Sequence, residues 1–357
     1  MINRRRFLEN AAAAGLAAAW ISRSSGAAHA AENLAKPEGS WRTFDVTTSV
    51  KLQEVEGPAQ LWLPIIQSAG DYQKADQPRW VSSSESIAIE EDPASGASIL
   101  HATWPGDKDR SIEVVQRVST RDRGPANRVP ASQDELQREL RSTPSMPTDG
   151  IVQTTAMHIV GNRTEPEDRA RAIYDWVIDN TFRDANVAGC GVGNVKDMLE
   201  SGYFGGKCAD ISSLFVALAR AAGLPARDVF GIRVADSDDF KSLGRSGDIT
   251  KAQHCRAEFY LESEGWVAVD PADVRKVVLE EKLPLENAAV EAFRRKAFGN
   301  WEMNWVSYNS ARDLVLPGGS ERQGFLMYPA AVTSRGEVDC LSPKTFAYSI
   351  TSKEVVA

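Results

Sequence analysis

Residues 204–229 read FGGKCADISSLFVALARAAGLPARDV. Ile211, Leu214, Phe215, Leu218 and Ala222 recur at helical spacing, which predicts a helix with one apolar face. Gly223 suits a left-handed stop, and Pro225 prevents continuation. The helix therefore begins at Cys208, directly behind Gly205, Gly206 and Lys207. A cysteine used only as a small apolar filler would sit mid-helix on the apolar face. At a helix start, unpaired N–H groups and the positive end of the dipole favour a thiolate. Gly205 and Gly206 are expected to supply unusual backbone angles and room for another molecule to approach. Taken alone, Cys208 is open to either reading, packed thiol or nucleophile.

The stretches that follow narrow the choice. RDVFGIRV (227–234), CRAEFYLE (255–262) and WVAVD (266–270) read as strands, the last two joined by a hairpin-length SEG. Along one strand His254, Arg256 and Glu258 share a face. On the next, Trp266, Ala268 and Asp270 do, so the hairpin can bring Asp270 beside His254. Three histidines follow residue 30, at 101, 158 and 254, and only His254 opens a strand in the half that holds Cys208. A thiolate, an imidazole to carry its proton and a carboxylate to orient the imidazole form a nucleophilic triad. Asp270 also reads as a turn residue ahead of Pro271.

Upstream, Ser132 and Glu135 have capping-box spacing, as do Thr164 and Glu167 ahead of an apolar stripe at Ala170, Ile173, Tyr174 and Val177. Asn194 caps a short helix closed by Gly202. Helices, then a Cys-led helix, then an antiparallel sheet make the central region α+β. From about residue 40 to 120 the apolar pattern has period two, which predicts a small antiparallel β-sandwich. The expected organisation is an N-terminal β domain at 38–122, a linker with a short helix at 123–150, a core at 151–280 and an extension packing on that core at 281–357.

The first thirty residues read as a twin-arginine-type signal peptide: Arg4 and Arg5, an Ala-rich apolar run, and a small-x-small site ending at Ala30. Its removal takes the formal charge from −8 to −11 and places the product in the periplasm or outside the cell. So negative a chain is a poor partner for nucleic acid or anionic lipid, and no later run has the length of a membrane span. Cys190, Cys208, Cys255 and Cys340 lack the paired spacing of zinc or redox sites, and DSDD (236–239) lacks the ligand spacing of a calcium loop. No metal and no cofactor are expected. One working thiol would leave three cysteines and at most one bridge.

GGKCADISSLFVALARAAGLPARDV, QHCRAEFYL and GWVAVDPADV together resemble the transglutaminase-like superfamily, in its order of Cys, His and Asp, over roughly residues 165–280. The resemblance implies Cys208 as nucleophile, His254 as general base and acid, and Asp270 as its orienting partner. It also implies a papain-like core in which the Cys-bearing helix packs on an antiparallel sheet, with a β domain ahead of it as in secreted bacterial members. The implied chemistry is acyl transfer from a peptide or protein through a Cys208 thioester. The alternatives are protein cross-linking and a non-catalytic wall- or protein-binding scaffold.

Many members carry an aromatic residue two positions after the histidine, where this chain has Arg256. That departure favours hydrolysis over amine transfer and suggests that Arg256 reads a substrate carboxylate, unless it pairs with Glu258 or Asp210. Tyr203 and Trp266 are further substrate-binding candidates. The Cys208 N–H is the first expected oxyanion donor, with Tyr203, Asn180 or Trp176 as the second. In a redox-controlled variant of the reading Cys208 pairs with Cys190 or Cys255, Cys255 being disfavoured because it points away from His254.

Overall fold

The computed structural model describes residues 40–53, 56–106, 109–124 and 129–356; the expected signal peptide lies outside them. The centre of the fold is an antiparallel sheet with the order Gly265–Val269, Gln253–Leu261, Ala226–Arg233, Trp305–Asn309. The Cys208–Ala221 helix packs on one face of it. The expected single apolar stripe understates this helix, because every residue from Cys208 to Arg220 is buried. Helices Gly150–Val160 and Pro166–Asn180 cover the side away from the sheet.

Full burial obliges each polar group on the Cys208–Ala221 helix to find a partner. Ser213 Oγ donates to Asp228 Oδ1 at 3.1 Å, and Arg220 pairs with Glu139 at 2.5 Å while donating to the Ala226 carbonyl. Gly223, at φ +80°, ends the helix in the left-handed region. The strand Trp305–Asn309 comes from far along the chain, and all five of its residues are buried.

Two further sheets make a β-sandwich. One centres on Arg42–Leu52 and Arg110–Thr120, the other on Ala59–Pro64 and Ser98–Trp104. Alternate residues of Arg110–Thr120 are buried, as a half-buried strand requires. Val50, Ile112 and Val114 from the first sheet meet Leu61, Leu100 and Trp104 from the second in one apolar layer.

The C-terminal segment, read from sequence as an extension on the core, also completes this sandwich. Phe346–Glu354 pairs with Arg42–Leu52, and Ala330–Thr333 pairs with Ala59–Pro64. Gly247–Asp248, from the core, adds to the free side of Phe346–Glu354. Strands thus cross between the expected divisions, and the chain from residue 40 onward packs as one unit.

One helix start differs from its expected cap. Thr164 does not cap the Pro166–Asn180 helix; Glu165 holds the cap position and Pro166 starts the helix. Ser132 and Asn194 cap as expected, each accepting from a backbone N–H three residues on.

Candidate active site

The segment before Asn194 fastens the start of the Cys208–Ala221 helix. Asp210 Oδ1 accepts from the N–H groups of Val192 (3.0 Å) and Gly193 (2.9 Å), and its Oδ2 accepts from Lys207 N–H (2.9 Å). Ala209 N–H donates to the Cys190 carbonyl at 2.9 Å. Gly191 is required here: its φ is +85°, and a Cβ would lie 1.9 Å from Asp210 Oδ2. The glycines before Cys208 serve a different purpose from the one expected. Their φ values are not positive, and side chains already fill the space beside them. A Cβ on Gly205 would lie 2.5 Å from the Phe182 ring, and one on Gly206 would lie 2.5 Å from Asp210 Cβ. They permit close packing of the chain on itself.

This clamp holds three thiols together. The sulfurs of Cys190, Cys208 and Cys255 lie within 4.8 Å of one another, all buried and all unbridged. Cys255 does point away from His254 along its strand, but that direction faces the Cys208 helix, so the residue disfavoured from sequence is a neighbour of Cys208. Tyr328 Oη donates to Cys190 Sγ at 3.1 Å, and the Cys190 thiol donates to the Gln253 carbonyl at 3.4 Å.

The neighbouring Cys190 and Cys255 thiols, and then His254 through its hydrogen bond and its charge, hold the Cys208 thiol well below its ordinary range, against the penalty of burial. Cys190 and Cys255 are pushed up in return, Cys190 chiefly by the Cys208 sulfur beside it and Cys255 chiefly by burial. Ionisation is thereby concentrated on Cys208.

His254 is held from behind. Its Nε2 is 2.8 Å from Asp270 Oδ2 and 3.3 Å from Asp273 Oδ1, so Nδ1 is the ring nitrogen left for the thiol. Trp305 Nε1 donates to the His254 carbonyl at 3.1 Å. Burial opposes the charge on His254 most strongly and Arg233 adds to that, but Asp273 and Asp270 outweigh them and raise its pKa to about 9.

Asp270 follows the strand Gly265–Val269 and caps the helix Pro271–Glu280, its Oδ1 accepting from Asp273 N–H at 2.9 Å. The turn reading and the triad reading of Asp270 therefore describe the same residue. The second carboxylate, Asp273, escapes the sequence reading. Its signal is present nonetheless, because a cap residue and the residue three positions on share the first helical turn.

Arg256 does not face the cleft. Continuing the register of Ala257 with Val269 by one pair sets Arg256 opposite Asp270. Its Nε lies 3.2 Å from Asp270 Oδ2, and its guanidinium stacks 4.7 Å from the Trp305 ring centroid. It pairs with neither Glu258 nor Asp210. Glu258 is held by Arg123 and Arg227.

Trp266 is buried away from the thiol, with Arg227 over its ring and its Nε1 donating to Glu135. Tyr203 is exposed and donates to Asp184 at 2.8 Å. Asn180 donates to the Trp176 carbonyl on the helix surface. Neither Arg256 nor any of these four residues lines the cavity over Cys208.

That cavity has a volume of about 940 Å³ and reaches Cys190, Cys208, Gln253 and His254. Tyr328 and Tyr348 form part of its wall from the C-terminal segment. Gln253 Nε2 is buried beside the Tyr348 phenol without a hydrogen bond of good geometry. An unsatisfied buried donor in the wall of the cavity that reaches Cys208 is a group poised for a ligand oxygen.

Among the described residues two clusters have the spacing of cation ligands, the three thiols and the His254–Asp270–Asp273 set. In the second, Arg233 lies 2.5 Å from Asp273 and Arg256 lies on Asp270, so the carboxylates are already neutralised by fixed cations. The thiols are donors of the kind that suits a thiophilic ion.

Residues 153–271, which span the Cys208 helix and three strands of the central sheet, match the family model described as the transglutaminase-like superfamily. An uncharacterized protein of Haemophilus influenzae is 36% identical over 366 residues, covering 95% of this chain and 99% of its own length. Among solved structures, one from Cytophaga hutchinsonii, provisionally described as a cysteine protease, is 14% identical with a TM-score of 0.49, covering 88% of this chain and 98% of the other. The periplasmic domain of TgpA from Pseudomonas aeruginosa is 16% identical with a TM-score of 0.36, covering 70% and 92%.

Proposed function

Since this chain belongs to the transglutaminase-like superfamily and has its papain-like α+β core, we propose that it is an exported, cysteine-dependent acyl-transfer enzyme that hydrolyses amide bonds in peptides or proteins. The observation that carries the reading is the line of groups behind one sulfur: Cys208 at a helix start, His254 against it, and Asp270 2.8 Å from the far ring nitrogen.

The Cys208 thiolate attacks an amide carbonyl, forming a C–S bond and moving the carbonyl electron pair onto oxygen. The Cys208 N–H and the Gln253 amide are the donors for that oxyanion. On collapse the C–N bond breaks and the His254 imidazolium gives its proton to the departing amine. Water then attacks the thioester while His254 takes a proton from it, and the C–S bond breaks to return the thiolate and release the acid. Asp270 and Asp273 keep the imidazole oriented and stabilise its charged form.

Water is favoured as acceptor not by Arg256, which lies outside the cleft, but by Lys207, Lys241, Lys251 and Lys276, which line the cavity and repel an incoming protonated amine. A glutamine peptide incubated with a primary amine and followed by mass spectrometry tests both parts of the reading. Hydrolysis products that vanish in Cys208→Ala are expected; an amine adduct in excess over hydrolysis would reverse the assignment to cross-linking, and no Cys208-dependent product would favour a binding scaffold.

A further inference from the structure

The charge of the cavity differs in sign from that of the chain. The protein carries a formal −8, yet seven lysines and arginines line the cavity against two glutamates, an excess of five positive charges around the nucleophile. The excess is only partly neutralised from within. Arg233 has its own carboxylate in Asp273 at 2.5 Å. Arg183 and Lys276 share a single one, Glu280, at 3.4 Å and 3.9 Å. Lys207, Lys241 and Lys251 have no carboxylate within ion-pair distance among the described residues. Lys276 is half-buried, and burial followed by the nearby Arg233 lowers its pKa to about 8, so its ammonium is held at a cost that an anion would relieve.

Self-repulsion among cations around a concave, partly enclosed volume destabilises the empty site and favours an anionic occupant. Among the described residues the carboxylates on the lining are Glu280 and Glu281, engaged by those cations and by the Ser242 N–H at 2.8 Å. Arg256, the residue expected from sequence to read a carboxylate, is turned away from the cavity, so recognition falls to cations contributed by other elements.

We propose that the cavity over Cys208 takes acyl donors that carry carboxylates, that is, acidic peptides whose side-chain or terminal carboxylates pair with Lys207, Lys241, Lys251 and Lys276 while the scissile carbonyl meets the thiol. This names a substrate class for the acyl-transfer reading and rests on it. A polyanion such as nucleic acid offers phosphates but no acyl carbon for the thiol to attack.

Binding to the full chain carrying Cys208→Ala separates this inference from the chemistry. The probe is a tagged peptide with glutamates on both sides of a glutamine, compared with its isosteric all-glutamine and its lysine-flanked counterparts by fluorescence anisotropy. The acidic peptide is expected to bind at least about tenfold more tightly than the neutral one, taking a few-fold for each exposed pair. The preference should disappear when salt rises from about 0.1 M to about 1 M, which shortens the screening length from about 10 Å to about 3 Å.

Lys241 and Lys251 are exposed, so K241E/K251E keeps the fold and is expected to abolish the preference, with K241Q/K251Q intermediate. Equal affinity for the acidic and neutral peptides would overturn the inference, as would displacement of the acidic peptide by an equal concentration of a DNA oligonucleotide. Cys208-dependent turnover of neutral amides alongside either result would leave the acyl-transfer reading standing; its absence on every peptide would remove that reading instead.

Discussion

Replacing His254 by alanine should slow alkylation of Cys208 by iodoacetamide about tenfold at pH values below its ionisation midpoint and move the half-maximal rate to higher pH. Cys208 and His254 are each 2% exposed, so solvent does not screen the imidazolium from the sulfur. An opposite charge in contact changes an ionisation equilibrium by roughly 10- to 1000-fold, and about a hundredfold is a fair middle value. Losing that much thiolate is partly offset, because a more basic thiolate is intrinsically more reactive; with a Brønsted slope of about 0.4–0.5 the gain is about tenfold. The two factors leave a net loss of about tenfold. The loss is not total, since the Cys190 and Cys255 thiols also lower the Cys208 thiol. The assay is the rate of carbamidomethylation at Cys208 as a function of pH, resolved from Cys340 by peptide mass spectrometry. An H254A protein that alkylates at the wild-type rate with an unmoved pH midpoint would refute the reasoning, and the imidazole would then have no part in holding the thiolate.

Three other outcomes follow from the same geometry. Amide hydrolysis should rise as Cys208 ionises, below the ordinary thiol range, and fall as pH passes about 9, where His254 loses the proton it must give to the leaving amine; a pH–rate profile of kcat/KM checks both limbs. Asp270→Asn keeps the cap on Asp273 N–H but removes a charge-assisted bond to His254, so kcat/KM should drop by about 10- to 100-fold and the basic limb should shift to lower pH, because Asp270 is, after Asp273, one of the two carboxylates that raise the imidazole. Arg256→Leu leaves the buried Asp270 short of a counter-charge and should cost about 3 kcal/mol in urea unfolding; a KM effect confined to acidic substrates, with stability unchanged, would return Arg256 to the role of substrate reader.

Much of the core can be read along the chain because its signals are local. The Cys208 helix announces its start, its stop at Gly223 and its apolar spacing within two dozen residues. The strands around His254 and Asp270 announce themselves by alternation, and the short hairpin between them sets their register. Asp273 is within reach of the same reading, since it shares the first turn of the helix that Asp270 caps. The substrate-binding candidates fare differently. The strand face that carries Arg256 is legible, but which neighbour it meets depends on Asp270 and Trp305, and Trp305 lies in a strand contributed from about fifty residues downstream.

Sequence by itself determined the helix with a thiol at its head, the order of Cys, His and Asp, and the sheet that the helix packs on. The helix and the strands follow from backbone periodicity and from caps, each a property of adjacent residues, while the order of Cys, His and Asp and the packing of helix on sheet are what the resemblance to the superfamily implies. Only the tertiary structure decided that Cys190 and Cys255 flank Cys208, that C-terminal strands complete the N-terminal sheets, and that lysines from separate segments give an acidic protein a basic cleft. Those meetings come from burying apolar faces against one another, and the polar groups carried on those faces are brought together by a force that does not read them.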